Sequence, residues 1–210
     1  GVQTCALPIY DARETRGNGL YRKPNDYSAN ISITTDEREN IICSVSEGIG
    51  WNEKHKFQSS TGVGVAVKPL PWIEWQAEYN FGLTKNQEAW ASNIYGAPVF
   101  GDRTTIQNNF TLRNTLTFTR NLTVQFYGQV FLAKGYYDNF RQLIGTSGFT
   151  PFPTTVQLLD RQFNNQSLHT NLVLRWEYLP GSTIFVVWSQ SRDGGTGRYG
   201  WSFAEDLNET

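Results

Sequence analysis

The sequence predicts an all-β protein whose strands form an antiparallel up-and-down meander, with about eight strands in all. The clearest evidence lies between Thr104 and Lys134, where two segments of alternating apolar and polar residues flank a turn at Arg120-Asn121. Alternate side chains of a strand point to opposite faces. The stretch therefore predicts a hairpin with one apolar and one polar face. Each of its strands exceeds the ~5–6 residues that are usual in soluble sheets.

Six further segments alternate in the same way and are predicted as strands. They cover residues 27–35, 40–51, 57–68, 72–81, 167–178 and 183–190, the last of them apolar on both faces. Short turns are predicted at 36–39, 69–71, 119–121 and 179–182, where Pro180-Gly181 is typical of a type II turn. Longer loops are predicted at 52–56, 82–103 and 135–166, with a short helix near 138–144.

Composition narrows the class of protein. The 210 residues carry a formal net charge of -1, so no basic excess indicates a nucleic-acid partner. Aromatic residues make up 14% of the chain, including seven Trp and ten Tyr. No segment approaches the ~18 apolar residues of a transmembrane helix. This composition fits a transmembrane barrel that is polar inside and ringed with aromatics, and it also fits a secreted lectin-like sandwich.

The lengths of the connections favour the barrel. Short turns alternate with longer loops along the chain, as in bacterial outer-membrane barrels with short periplasmic turns and long extracellular loops. We therefore predict part of a transmembrane outer-membrane β-barrel. The alternative is a soluble all-β carbohydrate-binding or lipocalin-like module, in which strands also alternate.

In a membrane barrel the apolar face contacts lipid and the polar face lines the lumen. The predicted lipid-facing residues are Ile106, Phe110, Leu112, Leu116, Val124, Phe126, Leu172 and Leu174. The predicted lumen-facing charged residues are Glu74, Glu78, Arg113, Arg175 and Glu177. We expect the two arginines to pair with carboxylates on this face. A predicted aromatic girdle at the headgroup level comprises Trp51, Trp72, Tyr79, Phe118, Trp176 and Tyr178.

Signals for catalysis, cofactors or metals are weak, and we predict none of these sites. The two histidines, His55 and His169, fall in a loop and near a strand start. An outer-membrane enzyme would need a Ser/His/Asp cluster at the rim, which the sequence does not indicate. Cys43 is expected to act as a small hydrophobe on an apolar face. The aromatic residues of the predicted loops are expected to pack within those loops.

The ends of the chain call for separate interpretation. Residues 1–9, GVQTCALPI, match the translation of a widely used sequencing-adapter oligonucleotide and are set aside as non-native. Residues 10–26 are predicted as a loop or the end of a preceding strand, and residues 27–205 as the partial barrel. The absence of Met indicates a fragment or a processed piece.

Two segments resemble a known family. Residues 110–143, FTLRNTLTFTRNLTVQFYGQVFLAKGYYDNFRQL, and residues 168–192, LHTNLVLRWEYLPGSTIFVVWSQSR, resemble the C-terminal part of the domain-of-unknown-function 5916 proteins. The most specific element runs from Thr170 to Trp188. The resemblance covers residues 27–205 and implies a bacterial, often metagenomic, protein.

In that family an N-terminal family-9-like carbohydrate-binding domain precedes a C-terminal outer-membrane β-barrel. The resemblance therefore implies a membrane anchor or channel in the bacterial outer membrane, linked to carbohydrate binding or uptake. It also implies three partners: outer-membrane lipid, the barrel-assembly machinery that reads a terminal strand, and a glycan bound through the N-terminal domain, which these residues do not include. No catalytic residues carry over from the family's barrel. That barrel is larger and ends with one more strand. The resemblance therefore implies a sheet that is open or incompletely closed in this fragment, with residues 206–210 as a truncated end before a missing last strand.

Overall fold

A computed structural model describes residues 9–155, 158 and 161–196 of the protein. Nearly all of this part is β-strand. The strands are β1 (Tyr10–Asp11), β2 (Tyr21–Arg22), β3 (Asp26–Thr34), β4 (Ile41–Asn52), β5 (Phe57–Leu70), β6 (Ile73–Ile94), β7 (Ala97–Thr119), β8 (Leu122–Ile144), β9 (Gly148–Pro151), β10 (Phe163–Leu179) and β11 (Ser182–Thr196). No helix in these residues has the length and hydrophobicity needed to cross a membrane.

One antiparallel sheet contains every long strand. Its order is β11-β10-β8-β7-β6-β5-β4-β3, with the short β9 paired to β8 beside this path. Apart from this β9 excursion, each strand pairs with its neighbour in the chain. The predicted antiparallel meander of about eight strands is therefore confirmed. The sheet is open between β3 and β11 in the described part of the chain.

The register of the strands places the predicted apolar positions on one face. Leu116 lies opposite both Ile73 and Val124, and directly opposed residues share a face of an antiparallel sheet. The pairing also assigns β11, whose facing the sequence left ambiguous. Its Val186 lies opposite Leu174, so the even-numbered residues of β11 belong to the apolar face.

The predicted loop at 82–103 is wrong. Instead, β6 and β7 have 22 and 23 residues and are joined by a tight turn at Tyr95-Gly96. Both turn residues have positive φ, 50° and 79°, as a type I′ hairpin turn requires. The connection expected to be a long loop is thus a long hairpin that continues past the predicted membrane-spanning part of the sheet.

The predicted loop at 135–166 and the predicted helix near 138–144 are also wrong over most of their length. Strand β8 continues to Ile144 and β9 follows after a short turn. The alternation of apolar and polar residues is hidden in these segments because extra residues shift the pairing register. Asn86 and Asn139 lie at these bulges and have positive φ. Both faces of the strands are also covered here, which removes the polar side of the alternation.

We call residues 86–104 and 135–151 the strand extension, and they contain most of the buried core. One cluster on the extension comprises Ala91, Val99, Phe140 and Leu158. A second comprises Tyr21, Phe100 and Leu143. Residues 10–26, predicted as a loop or strand end, thus include a short β1–β2 ribbon whose Tyr21 packs onto this extension. Phe100 and Phe140 are buried, but they lie in strands and not in the loops within which the sequence predicted packing, and Tyr95 is fully exposed.

The buried ring of Phe100 is expected to stabilise the strand extension. Phe100 has no solvent exposure and contacts the rings of Tyr21 and Phe149. The substitution Phe100→Ala should lower the free energy of unfolding of the extension by about 3–5 kcal/mol, because it leaves a large cavity. Amide hydrogen exchange of residues 86–104 would measure this change. The control Tyr95→Ala, at a fully exposed turn residue, should leave the exchange rates unchanged. Equal effects of both substitutions would contradict the assignment of this core.

Candidate functional site

The apolar face of the sheet is open to its surroundings. Of the predicted lipid-facing residues, Phe110, Leu112 and Leu172 are exposed. The other five, Ile106, Leu116, Val124, Phe126 and Leu174, are half-buried by their neighbours within the sheet. Apart from the two-stranded β1–β2 ribbon, the described residues form no other sheet that could cover this face. Contiguous apolar surfaces of this size mark contact with a membrane or another apolar partner.

The height of the apolar face can be read from β8. Its apolar positions on this face run from Leu122 to Leu132. These ten steps span about 34 Å along an antiparallel strand. At the ~40° tilt of membrane barrels, that length corresponds to about 26 Å along the barrel axis, which matches the ~25 Å apolar band of such proteins.

Four of the six predicted girdle residues lie at one end of the sheet. Trp72, Phe118, Trp176 and Tyr178 are exposed beside the short turns, and the rings of Trp176 and Tyr178 are 6.1 Å apart. Trp51 lies at the opposite end of β4 and stacks on Tyr27. Tyr79 lies within β6, where its hydroxyl donates a hydrogen bond to Asn108 at 2.6 Å. The girdle itself stays a prediction.

The five predicted lumen-facing charges share the polar face by register. Arg113 lies opposite Gln76, between the partners of Glu74 and Glu78, and Arg175 lies two strands further along. The expected ion pairing occurs between Arg175 and Glu177, whose charged atoms are 3.5 Å apart.

Arg113 has a different partner. Its guanidinium lies 5.5 Å from the centroid of the Tyr127 ring, a cation–π contact. No carboxylate in the described part of the chain lies within 4.0 Å of it. Arg113 therefore forms no ion pair within these residues, although Glu74 and Glu78 lie diagonally across from it on β6.

Side-chain hydrogen bonds link β7 with β8, and β10 with β11, on the polar face. The Tyr127 hydroxyl donates to Gln129 at 3.0 Å, and the Gln129 amide donates to Asn109 at 2.8 Å. His169 Nδ1 lies 3.0 Å from the Ser191 hydroxyl. This Ser–His contact lacks the carboxylate that would orient the ring in a catalytic triad, as far as the described residues go.

Small side chains line the polar face of β4 and β5. A Cβ atom added at Gly48, Gly62 or Gly64 would come within 2.5 Å of the Oγ atom of a serine on the neighbouring strand. The serines fill this space, so these glycines cannot be enlarged without displacing them. The side chains of the polar face are therefore small on β4 and β5 and large on β7 and β8, where Arg113, Tyr127 and Gln129 project.

One ionisable residue on the apolar face escaped the sequence analysis. Glu47 lies opposite Ile31 and Thr61, on the face of Val45 and Ile49. Its carboxylate accepts hydrogen bonds from the hydroxyls of Thr61 and Ser59. Its odd position in β4 was a signal that could have identified it. The hydroxyl donors offset part of the cost of placing this group among apolar side chains.

The strand extension contains a charged cluster that sequence reasoning missed, because these residues were predicted as loops. Arg141 bridges the carboxylates of Glu88, at 3.5 Å, and Asp102. Glu88 also accepts a hydrogen bond of 2.6 Å from the Tyr21 hydroxyl. These contacts fix the β1–β2 ribbon to the extension.

Local charges shift several pKa values in this part of the chain. Burial and the Glu88 carboxylate raise the pKa of the Tyr21 hydroxyl, so it stays a donor at neutral pH. Desolvation and the neighbouring Asp102 raise the pKa of Asp138. Lys23, whose ammonium lies 2.6 Å from Asp11, lowers the pKa of that carboxyl.

Comparison with known proteins gives one match over nearly the whole chain. The model of a family described as Domain of unknown function (DUF5916) matches residues 3–210. This match extends into the residues set aside as adapter-derived, and the boundaries 1–9 and 206–210 stay predictions that lie almost wholly outside the described residues.

The other two comparisons add little. The search of curated proteins found no match. Among solved structures, CdiB from Acinetobacter baumannii matches with 15% identity and a TM-score of 0.41, over 82% of this chain and 29% of that one. This chain thus spans less than a third of the length of that structure, and a likeness of this size carries no argument.

The hydrogen bond between Tyr21 and Glu88 is expected to hold the β1–β2 ribbon in place. The substitution Tyr21→Phe keeps the ring and removes the donor, so it should weaken the ribbon by about 1–3 kcal/mol. Hydrogen exchange or limited proteolysis of residues 10–22 would measure the change. Tyr10→Phe in the same ribbon, at an exposed ring, is the matched control and should have no effect. If the two variants behave alike, the hydrogen bond does not anchor the ribbon.

Proposed function

This chain belongs to the DUF5916 family, and we propose that it is part of a bacterial outer-membrane β-barrel that acts as a membrane anchor or channel. In this proposal the apolar face of the sheet contacts lipid and the polar face lines the lumen. The short turns lie on the periplasmic side and the strand extension lies on the extracellular side, as in barrels of this class.

The exposed apolar face is the observation that carries the proposal. It is formed by consecutive strands in matching register, and the described residues do not cover it. Its height on β8 suits the apolar band of a bilayer. Water contact with so many apolar side chains would be unfavourable, at roughly 25 cal/mol for each Å². Lipid removes this cost without a second protein layer.

Backbone hydrogen bonding supports the same proposal. Within lipid every backbone N–H and C=O group needs a partner, and antiparallel strands satisfy this need between neighbours. The long strands β6, β7 and β8 are paired on both sides across the apolar face. The edges at β3 and β11 would need further strands of the same barrel.

The polar face supports a channel as well as an anchor. It combines the charged residues Glu74, Glu78 and Arg113 with the Ser- and Gly-lined part of β4 and β5. Small residues leave space inside a barrel, and charged residues facing that space tune which solutes pass.

The alternative is the soluble all-β carbohydrate-binding or lipocalin-like module. In such proteins the apolar face of the sheet is buried against a second sheet or within a closed barrel. The exposure of Phe110, Leu112 and Leu172 counts against it. Glycan binding is proposed from the family resemblance alone, in which it is a role of the N-terminal domain and not of these residues. Contact with the barrel-assembly machinery is proposed on the same ground, and no catalytic role is proposed.

Heat-modifiable migration in detergent tests the membrane barrel. The full-length protein should migrate differently with and without boiling, because a closed ladder of strands resists detergent. Leu112→Arg should abolish the unheated form or reduce it strongly, because a cation at the bilayer midplane costs about 2–4 kcal/mol on a barrel's lipid face.

The matched control is Thr115→Arg. Thr115 lies on the polar face directly opposite Glu74, so a new arginine there gains an ionic partner. This variant should keep the heat-modifiable form. Identical migration of boiled and unboiled full-length protein would contradict the proposed barrel.

A further inference from the structure

Four arginine side chains line one cavity of about 340 Å³ beside the strand extension. It lies where β6 continues past its pairing with β5, which ends at Lys85. The arginines come from three separate parts of the chain: Arg13 and Arg16 precede β2, Arg103 lies in β7 and Arg161 precedes β10. The other lining residues are Glu14, Ala89, Trp90, Ala91 and Tyr137.

The charges around this cavity are unbalanced. Among the lining residues that the structure describes, Glu14 is the one carboxylate, against four guanidiniums. None of the four guanidiniums lies within 4.0 Å of a carboxylate oxygen, judged over the described part of the chain. Arginine stays protonated in proteins. Four mutually repelling cations in one cavity therefore favour a bound anion.

Most of the N–H donors in this arginine cavity have no acceptor among the residues that the structure describes. Arg103 donates to Gln87 at 2.8 Å, and its Nε is buried without an acceptor. The guanidiniums of Arg16 and Arg161 lie 4.9 and 5.5 Å from the centroid of the Trp90 ring. The indole thus positions two cations, and its own N–H donates to Asn93 at 2.9 Å. Arg161 also donates to the Ser92 hydroxyl at 3.5 Å, a long contact.

We propose that the arginine cavity binds a dianionic phosphate group carried by a small dissolved solute. Guanidinium groups bind phosphate with two parallel N–H donors each, which gives both geometry and energy. Phosphate offers enough acceptor oxygens for several arginines and a charge that offsets the excess. A volume of about 340 Å³ exceeds that of a phosphate and leaves room for a small organic part beside Trp90 and Tyr137.

Lipid headgroups are the other source of phosphate, and the position of the cavity argues against them. Arg103 is three residues beyond Ile106, the last apolar-face residue of β7, which is about 10 Å along the strand and about 8 Å along the axis of a barrel tilted by ~40°. Trp90 is seven residues beyond Leu83, about 20 Å along the strand and about 15 Å along the axis. The headgroup layer is only about 5–7 Å thick on each side. The preference for a dissolved solute over a lipid headgroup rests on the proposed function, because it uses the membrane orientation. The anion site itself does not depend on that orientation.

Calorimetric titration with inorganic phosphate tests the site. The full-length protein in neutral detergent is titrated at constant ionic strength, with chloride as the balancing anion. Saturable binding is expected, and Arg16→Gln/Arg161→Gln should weaken it at least tenfold. The control Arg38→Gln/Arg120→Gln removes two positive charges from the short turns at the other end and should change the affinity less than twofold.

Folding is checked separately from binding. Heat-modifiable migration of each variant shows whether the barrel still forms, so loss of binding and loss of fold are distinguishable. Arg16→Lys/Arg161→Lys keeps the charge without the paired donors and should restore only part of the affinity. The proposal is overturned if the wild type shows no saturable phosphate binding, if chloride competes equally, or if the Arg16→Gln/Arg161→Gln variant binds as the wild type does.

Vesicles distinguish the two sources of phosphate. Protein inserted into phosphatidylcholine vesicles and into vesicles with added phosphatidylglycerol should bind inorganic phosphate equally. Loss of phosphate binding in the phosphatidylglycerol vesicles would assign the cavity to a lipid headgroup and would contradict the proposal that its ligand is a dissolved solute. If the protein shows no heat-modifiable form, the detergent titration still decides whether the anion site exists.

Discussion

Backbone hydrogen bonds between consecutive antiparallel strands are the interaction on which the rest of this structure depends. They fix the register, and the register decides which side chains share a face. A shift by one residue would move Leu112 to the polar face and Arg113 to the apolar face. The separation of an apolar from a polar face across eight strands therefore follows from one continuous ladder.

The sheet and its extension are stabilised in different ways. In the sheet, side chains on either face contact few others, and buried hydrophobic residues are scarce. The strand extension instead has packed clusters around Phe100 and Phe140, together with the Glu88–Arg141–Asp102 ion pairs. This contrast fits a protein whose sheet takes part of its stabilisation from lipid and whose extension is stabilised by its own contacts in water.

The sequence was most informative where one face is apolar and the other polar. The hairpin at 104–134 was predicted with its turn, because a period of two survives over its whole length. The extension was missed for a physical reason: bulges at Asn86 and Asn139 interrupt the period, and packing on both faces removes the contrast. The arginine cavity unites residues from three distant segments, which no local pattern predicts. Glu47 differs from the arginine cavity, because the sequence alone was enough to find it. Its odd position in β4 already placed it on the apolar face.

The outward orientation of the apolar face is the central claim. A scan of spin labels along β7 in lipid vesicles measures it most directly, with single cysteines at positions 110–117 in a Cys5→Ala/Cys43→Ala background. Collision with oxygen should be high at even positions and collision with a water-soluble nickel complex high at odd positions, with a period of two. Low oxygen accessibility at the even positions, Leu112 among them, would show that protein covers this face and would contradict the account.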